Sequence, residues 1–318
     1  MGIRSSSSAY VQYGLESTFG GGATQVALFG KNQKATGLEW TNNQIALPQL
    51  YDPRYCDFLY NSNAGSVNME FVLSNPWIFS WLFHDPTSAL DTGTRYDHTW
   101  DTDPAVNSNI RTPPTGHLEI GVDHDTNVVR NAKGVICTSL NMKTSIDNPV
   151  DCSMQLKWGL EDNISTTLDS SVATDGNFKP YNFTHATVEF PVATTQATVQ
   201  DLDLTINVNM ELLRGLGTPD AVDSWRKLIE ITGRVNMAFE DSSHLQKVRD
   251  RAEVADMKIL ISNGLAGDDL KSIQLNLGRV SVSKHGSALS AGELILQDFD
   301  FQALELDILA KNDSASQP

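Results

Sequence analysis

Asp201-Leu202-Asp203-Leu204-Thr205-Ile206-Asn207-Val208-Asn209-Met210 alternates without a break, one apolar residue for each polar one. An extended chain sends successive side chains to opposite faces, so this stretch is a strand with one dry and one wet side. The same alternation runs through Ile229, Ile231, Val235, Met237 and Phe239, and through Cys152, Met154, Leu156 and Trp158. Ile273, Leu275 and Leu277 continue it, and the phase then shifts past Gly278 to Val280 and Val282, which predicts a bulge. Strands wet on one side belong to antiparallel sheets rather than to a βαβ fold. The expected fold class is therefore mainly β.

Helical signals are short. Ser74-Asn75-Pro76-Trp77 is a helix start, and Trp77, Ile78, Trp81 and Leu82 follow at helical spacing. A face of this kind is expected to pack on a sheet rather than to stack a ligand. A second helix is predicted from Asp241 or Ser242, with Leu245 and Val248 as its buried edge.

Each helix follows a similar strand. Gly65-Ser66-Val67-Asn68-Met69-Glu70-Phe71 precedes the first, and Gly233-Arg234-Val235-Asn236-Met237-Ala238-Phe239 the second. They share Gly-x-Val-Asn-Met-x-Phe at an offset of 168 (233 − 65). Leu38-Glu39-Trp40 resembles Leu202-Asp203-Leu204 at 164 (202 − 38), and Leu140-Asn141-Met142 resembles Leu275-Asn276-Leu277 at 135 (275 − 140). A period this long reads as a duplicated domain rather than a solenoid. The expected division is 1–160 and 161–318, with about 33 extra residues after the first helix (168 − 135). Those extra residues fall in Asp85 to Arg130, which holds four prolines and reads as a long loop with room for a small hairpin. The residues up to Lys34 and the tail Lys311 to Pro318 read as arms, and Glu161 to Asn177 as a linker.

The 318 residues carry a formal net charge of −16. Residues 1–160 have 10 basic against 15 acidic residues, net −5; the rest have 13 against 24, net −11. Neither half clusters the Lys and Arg that neutralise phosphates, so specific nucleic-acid binding is not expected. No apolar stretch is long enough to span a membrane. Met1 to Tyr10 is serine-rich and has no apolar run, which points away from a signal peptide and towards synthesis in a host cytoplasm. Cys56, Cys137 and Cys152 fit no zinc spacing and read as reduced, buried thiols.

Catalytic signatures are missing. Gly30-Lys31 is followed by Asn32, so it is no phosphate loop, and there is no Gly-x-Ser-x-Gly or His-Glu-x-x-His. Asp123-His124-Asp125-Thr126-Asn127 starts like a calcium loop, but Val128 stands where glycine is needed and Gly134 where the last glutamate is needed. Asp97, His98, Asp101 and Asp103 offer a carboxylate pair, and loop carboxylates of this kind are normally solvated. No enzyme activity, metal or cofactor is expected.

The opening Tyr13-Gly14-Leu15-Glu16-Ser17-Thr18-Phe19-Gly20, the strand and helix Gly65 to Phe83, the run Asp201 to Gly217 and the strand Gly233 to Asp241 resemble the tail tube (major tail) proteins of long-tailed phages and archaeal viruses. The resemblance implies two tandem β-sandwich or half-barrel units, each with a short flanking helix. Their sheets would close with those of neighbouring chains into a ring. Single-domain members form sixfold rings, so a duplicated one would need three chains. Stacked rings would form a tube in the virion through which viral DNA passes without specific binding, with other tail proteins at its ends. The wet face Asp201, Asp203, Thr205, Asn207 and Asn209 is the candidate lumen lining. The segment carrying Asp85, Asp97, Asp101, Asp103, Asp123 and Asp125 is the candidate inter-ring contact. The competing reading is a two-domain β-sandwich binding or adhesion module, which needs aromatics exposed on a wet face.

Overall fold

In a computed structural model the described residues are 9–24, 27–48, 55–103, 110, 112–123, 126–169, 179–239, 243–250, 253–254, 256–266, 270–288 and 295–314. The first run of elements is β1 (Ala9–Leu15), β2 (Lys31–Thr41), β3 (Ile45–Pro48), β4 (Tyr55–Leu59) and β5 (Ala64–Val72). A 3-10 turn (Trp77–Phe79) then leads into α1 (Ser80–Phe83). It continues with β6 (Thr87–Thr92), β7 (Arg95–Asp101), β8 (Gly116–Val122), β9 (Val128–Ser145), β10 (Asp151–Trp158) and β11 (Leu160–Glu161). The second run is β12 (Ala186–Glu189), β13 (Val199–Asn207), β14 (Met210–Arg214), β15 (Ala221–Arg226), β16 (Glu230–Ala238) and α2 (Ser243–Asp250). It ends with β17 (Glu253–Val254), β18 (Met257–Ser262), β19 (Ser272–Gly278), β20 (Val280–Ala288), β21 (Leu296–Ala303) and β22 (Glu305–Asn312). The chain is mainly β, and its ladders are antiparallel, as the alternation requires.

Two sheets carry most of it. The larger has the order β17-β20-β21-β16-β13-β9-β10-β5-β2, with β1, β8 and β11 joined through the first part of β9. The smaller has the order β12-β18-β19-β22-β7-β6. The hairpins β3-β4 and β14-β15 stand off as two-stranded sheets. Leu202, Leu204, Ile206 and Val208 turn into one hydrophobic core, joined there by Met154, Leu156, Val235, Ile259, Leu275 and Ile308. Burying apolar surface at roughly 25 cal/mol per Å2 makes that shared core the dominant stabilising term.

The pairing pattern occurs twice. β2-β5-β10 and the second part of β9 make the same four-stranded path as β13-β16-β21-β20. β1-β8, the first part of β9 and β11 match β12-β18-β19-β22. Gly134 in mid-β9 and Arg279 between β19 and β20 both have positive φ, 58° and 52°, where the chain passes from one sheet to the other. They lie 145 residues apart (279 − 134). The bulge residue Thr138 donates its hydroxyl to Gln155 O at 3.3 Å, and Ser283 donates to Asp300 O at 3.2 Å, also 145 apart (283 − 138). Earlier in the chain Asn43 (φ 40°) and Asn209 (φ 47°) each donate Nδ2 to a carbonyl, Ser62 O at 3.0 Å and Leu228 O at 2.9 Å. These lie 166 apart (209 − 43).

The pairings therefore set the offset at 166, midway between the sequence matches of 168 and 164. Slipping by two residues keeps every side chain on its own face, so alternation alone cannot detect it. At offset 166 the ladder pair Gly65–Trp158 corresponds to Ile231–Ala303. The large residue changes strands: a Cβ on Gly65 would sit 2.1 Å from Trp158 Cε2. The 135-residue match is not positional, because Leu140 lies on the part of β9 in the larger sheet while Leu275 lies on β19 in the smaller.

Several expectations need correction. Asp85 to Arg130 is not a long loop. It holds β6, β7, β8 and the start of β9, and β7 pairs with β22 in the register Asp101↔Asp307 to Tyr96↔Asn312. Tyr13 and Phe29 are fully buried, and β1 and the start of β2 lie within residues 9–34, so that stretch is no arm. Lys311 and Asn312 belong to β22 rather than to a tail. Polar composition hid these strands: the described side chains of β6 are all exposed, and β7 buries only His98 and Trp100. The first helix is a single 3-10/α turn, wholly buried. Trp81 lies 5.3 Å from Tyr13 and 5.9 Å from Phe29, centroid to centroid. Leu245 and Val248 are the half-buried side of α2, as predicted.

Candidate assembly surface

The larger sheet has one face in the core and one polar face. Four of the five residues singled out on β13 share that polar face. Asp201 lies opposite Ser145 and Asn236, Asp203 opposite Lys143 and Arg234, Thr205 opposite Asn141 and Thr232, and Asn207 opposite Ser139 and Glu230. Asn209 lies past the strand end, and its amide holds the base of the β14-β15 hairpin. Asn141 donates to Asp203 at 2.6 Å and to Thr205 at 2.9 Å, and Asn236 donates to Asp201 at 3.3 Å. On the flanking strands Ser153 donates to Asn68 at 2.9 Å. These cross-strand bonds fix the rotamers of the polar face.

Bases interleave with the acids. Arg234 meets Asp298 at 2.8 Å, Lys34 meets Glu70 at 3.1 Å and Lys284 lies 3.7 Å from Asp300. Lys143 stands beside both Asp151 and Asp203 in the ladder. The ladder gives a hydrophilic face of mixed charge.

The aspartates grouped by sequence are spread through the structure. Asp85 is exposed after α1, and Asp123 is exposed at the end of β8. Asp125 and His124 lie outside the described residues. Asp97 is tied to Lys311 at 3.1 Å, and Lys311 reaches Asp91 at 3.1 Å as well. Asp103 donates its backbone N–H to Asp101 at 2.7 Å. Asp101 faces Asp307 across the ladder. Burial, and after it the Asp101 charge, pushes the Asp307 carboxyl up to about 6. Among the described residues no three His, Cys, Asp or Glu side chains are grouped to hold a metal ion.

His98, expected in a solvated loop beside Asp97 and Asp101, is fully buried. It bonds Asn312 at 2.8 Å and Ser88 at 2.8 Å, and its ring lies 4.8 Å from that of Trp77. Cys137 and Cys152 are buried free thiols, both pushed up by burial, Cys137 to about 12. The side chain of Cys56 lies outside the described residues. Among the described residues no helix is long and apolar enough to cross a membrane.

Two features were not legible in sequence. The first is a pair of strand edges. Among the described residues, β2 at one end of the larger sheet pairs with β5 alone; at the other, β17 pairs with Val280 and Ser281 of β20, and α2 packs beside the same strand. Unpaired edges are templates for another chain. The second is apolar exposure on the hairpins, with Phe58 at 52% and Tyr60 at 63% on or beside β4.

No curated protein matches the chain. A family model described as phage tail tube protein matches residues 6–303, nearly its whole length. The wet sheet face, the open edges and the β-rich architecture fit that description, and the chain belongs to the phage tail tube protein family.

Proposed function

We propose that this structural phage tail protein closes into three-chain rings, and that the rings stack into a non-enzymatic tube that conducts the viral genome. Residues 1–160 and 161–318 act as two copies of one tail-tube unit within it. One observation carries the reading: the ladder between β13 and β9. There the outer strand of the second unit pairs with the first unit from Asp201↔Ser145 to Asn207↔Ser139. β2 corresponds to β13, and β20 to the second part of β9. The open edges of the chain are thus the two halves of the same seam, waiting for another chain.

The offsets of 166 and 145 give the register between chains. Asn207↔Ser139 becomes Thr41↔Lys284, and Ile206↔Leu140 becomes Trp40↔His285. Trp40, 37% exposed in the lone chain, then enters the dry side as Ile206 does. Glu39 lies one pleat from Lys284, a complementary charge pair. Closure removes both edges. The polar face then lines the channel, with Asp201, Asp203, Thr205 and Asn207 on it. Its mixed charge gives DNA no basic track to grip, so the duplex slides past without specific binding. The exposed Asp85 and Asp123 remain candidates for inter-ring contact. Other tail proteins cap the tube ends.

A Thr41→Cys, Lys284→Cys, Cys56→Ser chain tests the seam. Oxidation of assembled material should give covalent species that saturate at three chains on a denaturing gel. Negative-stain images should show rings and stacks. Strictly monomeric particles at high concentration would refute the ring, and a ladder running to six chains would refute the three-chain count.

A further inference from the structure

The two hairpins are counterparts at the same offset of 166. Asp57 accepts the backbone N–H of Phe58 at 2.8 Å, and Asp223 accepts that of Ser224 at 2.7 Å (223 − 57 = 166). Their environments differ. The β14-β15 hairpin is seated on the first half of its own chain, with Met210 at 2%, Ala221 at 3% and Ser224 at 8% exposure. Ala221 donates its N–H to Gly159 O at 3.3 Å. Arg226 donates to Ile110 O at 2.7 Å and to Leu82 O in α1. The corresponding face of β3-β4 has Ala46, Phe58 and Tyr60 in place of Leu212, Ser224 and Arg226, and Phe58 and Tyr60 are exposed.

The receiving surface also has a counterpart. Gly159, between β10 and β11, corresponds to Leu304, between β21 and β22 (304 − 159 = 145), and Leu82 corresponds to Val248 in α2 (248 − 82 = 166). Leu304 is 57% exposed, and with Leu228, 79% exposed, it lines a cavity of about 290 Å3. One chain therefore shows an exposed aromatic hairpin face and an exposed Leu304–Leu228 surface, whose cavity Ile229 and Ile231 share with Thr102, Arg226 and Lys227. The fold already joins the same two parts once internally.

We infer that the β3-β4 hairpin is a lateral clasp: Phe58 and Tyr60 seat on the Leu304–Leu228 surface and α2 of the next chain in the same ring. The partner is a second copy of this chain, and the clasp rests on the ring reading above. Where the internal contact uses Arg226 bonds to carbonyls, the clasp between chains uses aromatic burial. Apolar burial lets separate chains associate without leaving a buried cation unpaired before they meet. Truncating aromatic anchors of this kind is costly for association.

The test places a photo-activatable phenylalanine at position 58 or 60 of the full chain and maps the cross-linked peptides in assembled material. The expected product joins the hairpin to the segment around Leu304 or to α2, between two chains, within single rings separated before analysis. The Phe58→Asp, Tyr60→Asp chain should keep the parental circular dichroism and need about tenfold more protein to assemble, a shift of roughly 1.4 kcal/mol. Rings that form with cross-links only to a stacked ring, or only within one chain, overturn the clasp and leave the ring intact. Absence of rings from the parental chain overturns both.

Discussion

Gly65 shows how far a single residue commits this sheet. Trp158 on β10 lies across it, fully buried, and donates Nε1–H to Glu161 at 3.1 Å. A Gly65→Ala methyl would meet the indole at 2.1 Å. Overpacking of this kind costs about 1–3 kcal/mol. Chemical denaturation should show a lower midpoint with an unchanged slope; an unchanged midpoint would mean that the indole moves aside freely. Asp307 is the second sensitive residue. Its folded-state carboxyl titrates near 6, above the ordinary 3.8, so the fold favours the protonated form. Stability is then lost as pH rises from about 4 through 6 and stays lower above that. Asp307→Asn should raise the melting temperature at pH 8, and the gain should shrink below pH 6 and vanish near pH 3.5. A gain that does not change with pH would refute the raised Asp307 carboxyl, held up first by burial and then by the Asp101 charge, as its source. Of these residues, the alternation marked Trp158 as inward. The partners of Gly65 and Asp307 were not legible, since both pairs join strands far apart in sequence.

At the scale of elements, the β6-β7 hairpin ties the halves together. It leaves the first run of elements and adds its two strands to the smaller sheet beyond β22. His98 sits at the centre of that tie with Asn312 and Ser88 as partners. His98→Ala leaves a buried amide unsatisfied and a void beside Trp77 and Trp100, a loss of about 3 kcal/mol. Limited proteolysis should then cut within residues 85–103 before the rest of the chain, whereas parental resistance there would argue that the hairpin is held by its backbone ladder alone. The sequence marked this segment by its prolines and aspartates and so suggested a loop. Tyr96, His98 and Trp100 alternate inward, but a histidine in the apolar phase breaks the pattern that period-two reading relies on. The β3-β4 hairpin was missed for a related reason: its described side chains are exposed or half-buried, with no regular apolar phase.

For the whole molecule, Cys137 and Cys152 are useful reporters on the proposed ring. Both thiols are buried within the unit rather than at the seam. Their low reactivity should therefore be the same in monomer and ring, with labelling only on denaturation. Fast labelling of either in native monomer would mean that the larger sheet opens when unassembled. Family membership accounts for a structural tail protein, and in the proposed ring the repeated seam would let such a chain build a closed object from two kinds of junction. One is covalently continuous and tied by β6-β7; the other is open and completed by β2, β20 and the β3-β4 face.

The sequence by itself determined the fold class, the wet and dry faces of the alternating strands, the place of both helices and the lack of catalytic signatures. These follow from side-chain chemistry at near neighbours, where a period of two is enough. The tertiary structure decided the phase of the repeat, the partner of each edge, the place of β6-β7 and the charge of the polar face. Each depends on which strands become neighbours in space, whether 64 residues apart (Arg234 and Asp298) or 206 (Asp101 and Asp307, 307 − 101). A slip of two residues, or a base opposite an acid on another strand, leaves local alternation unchanged.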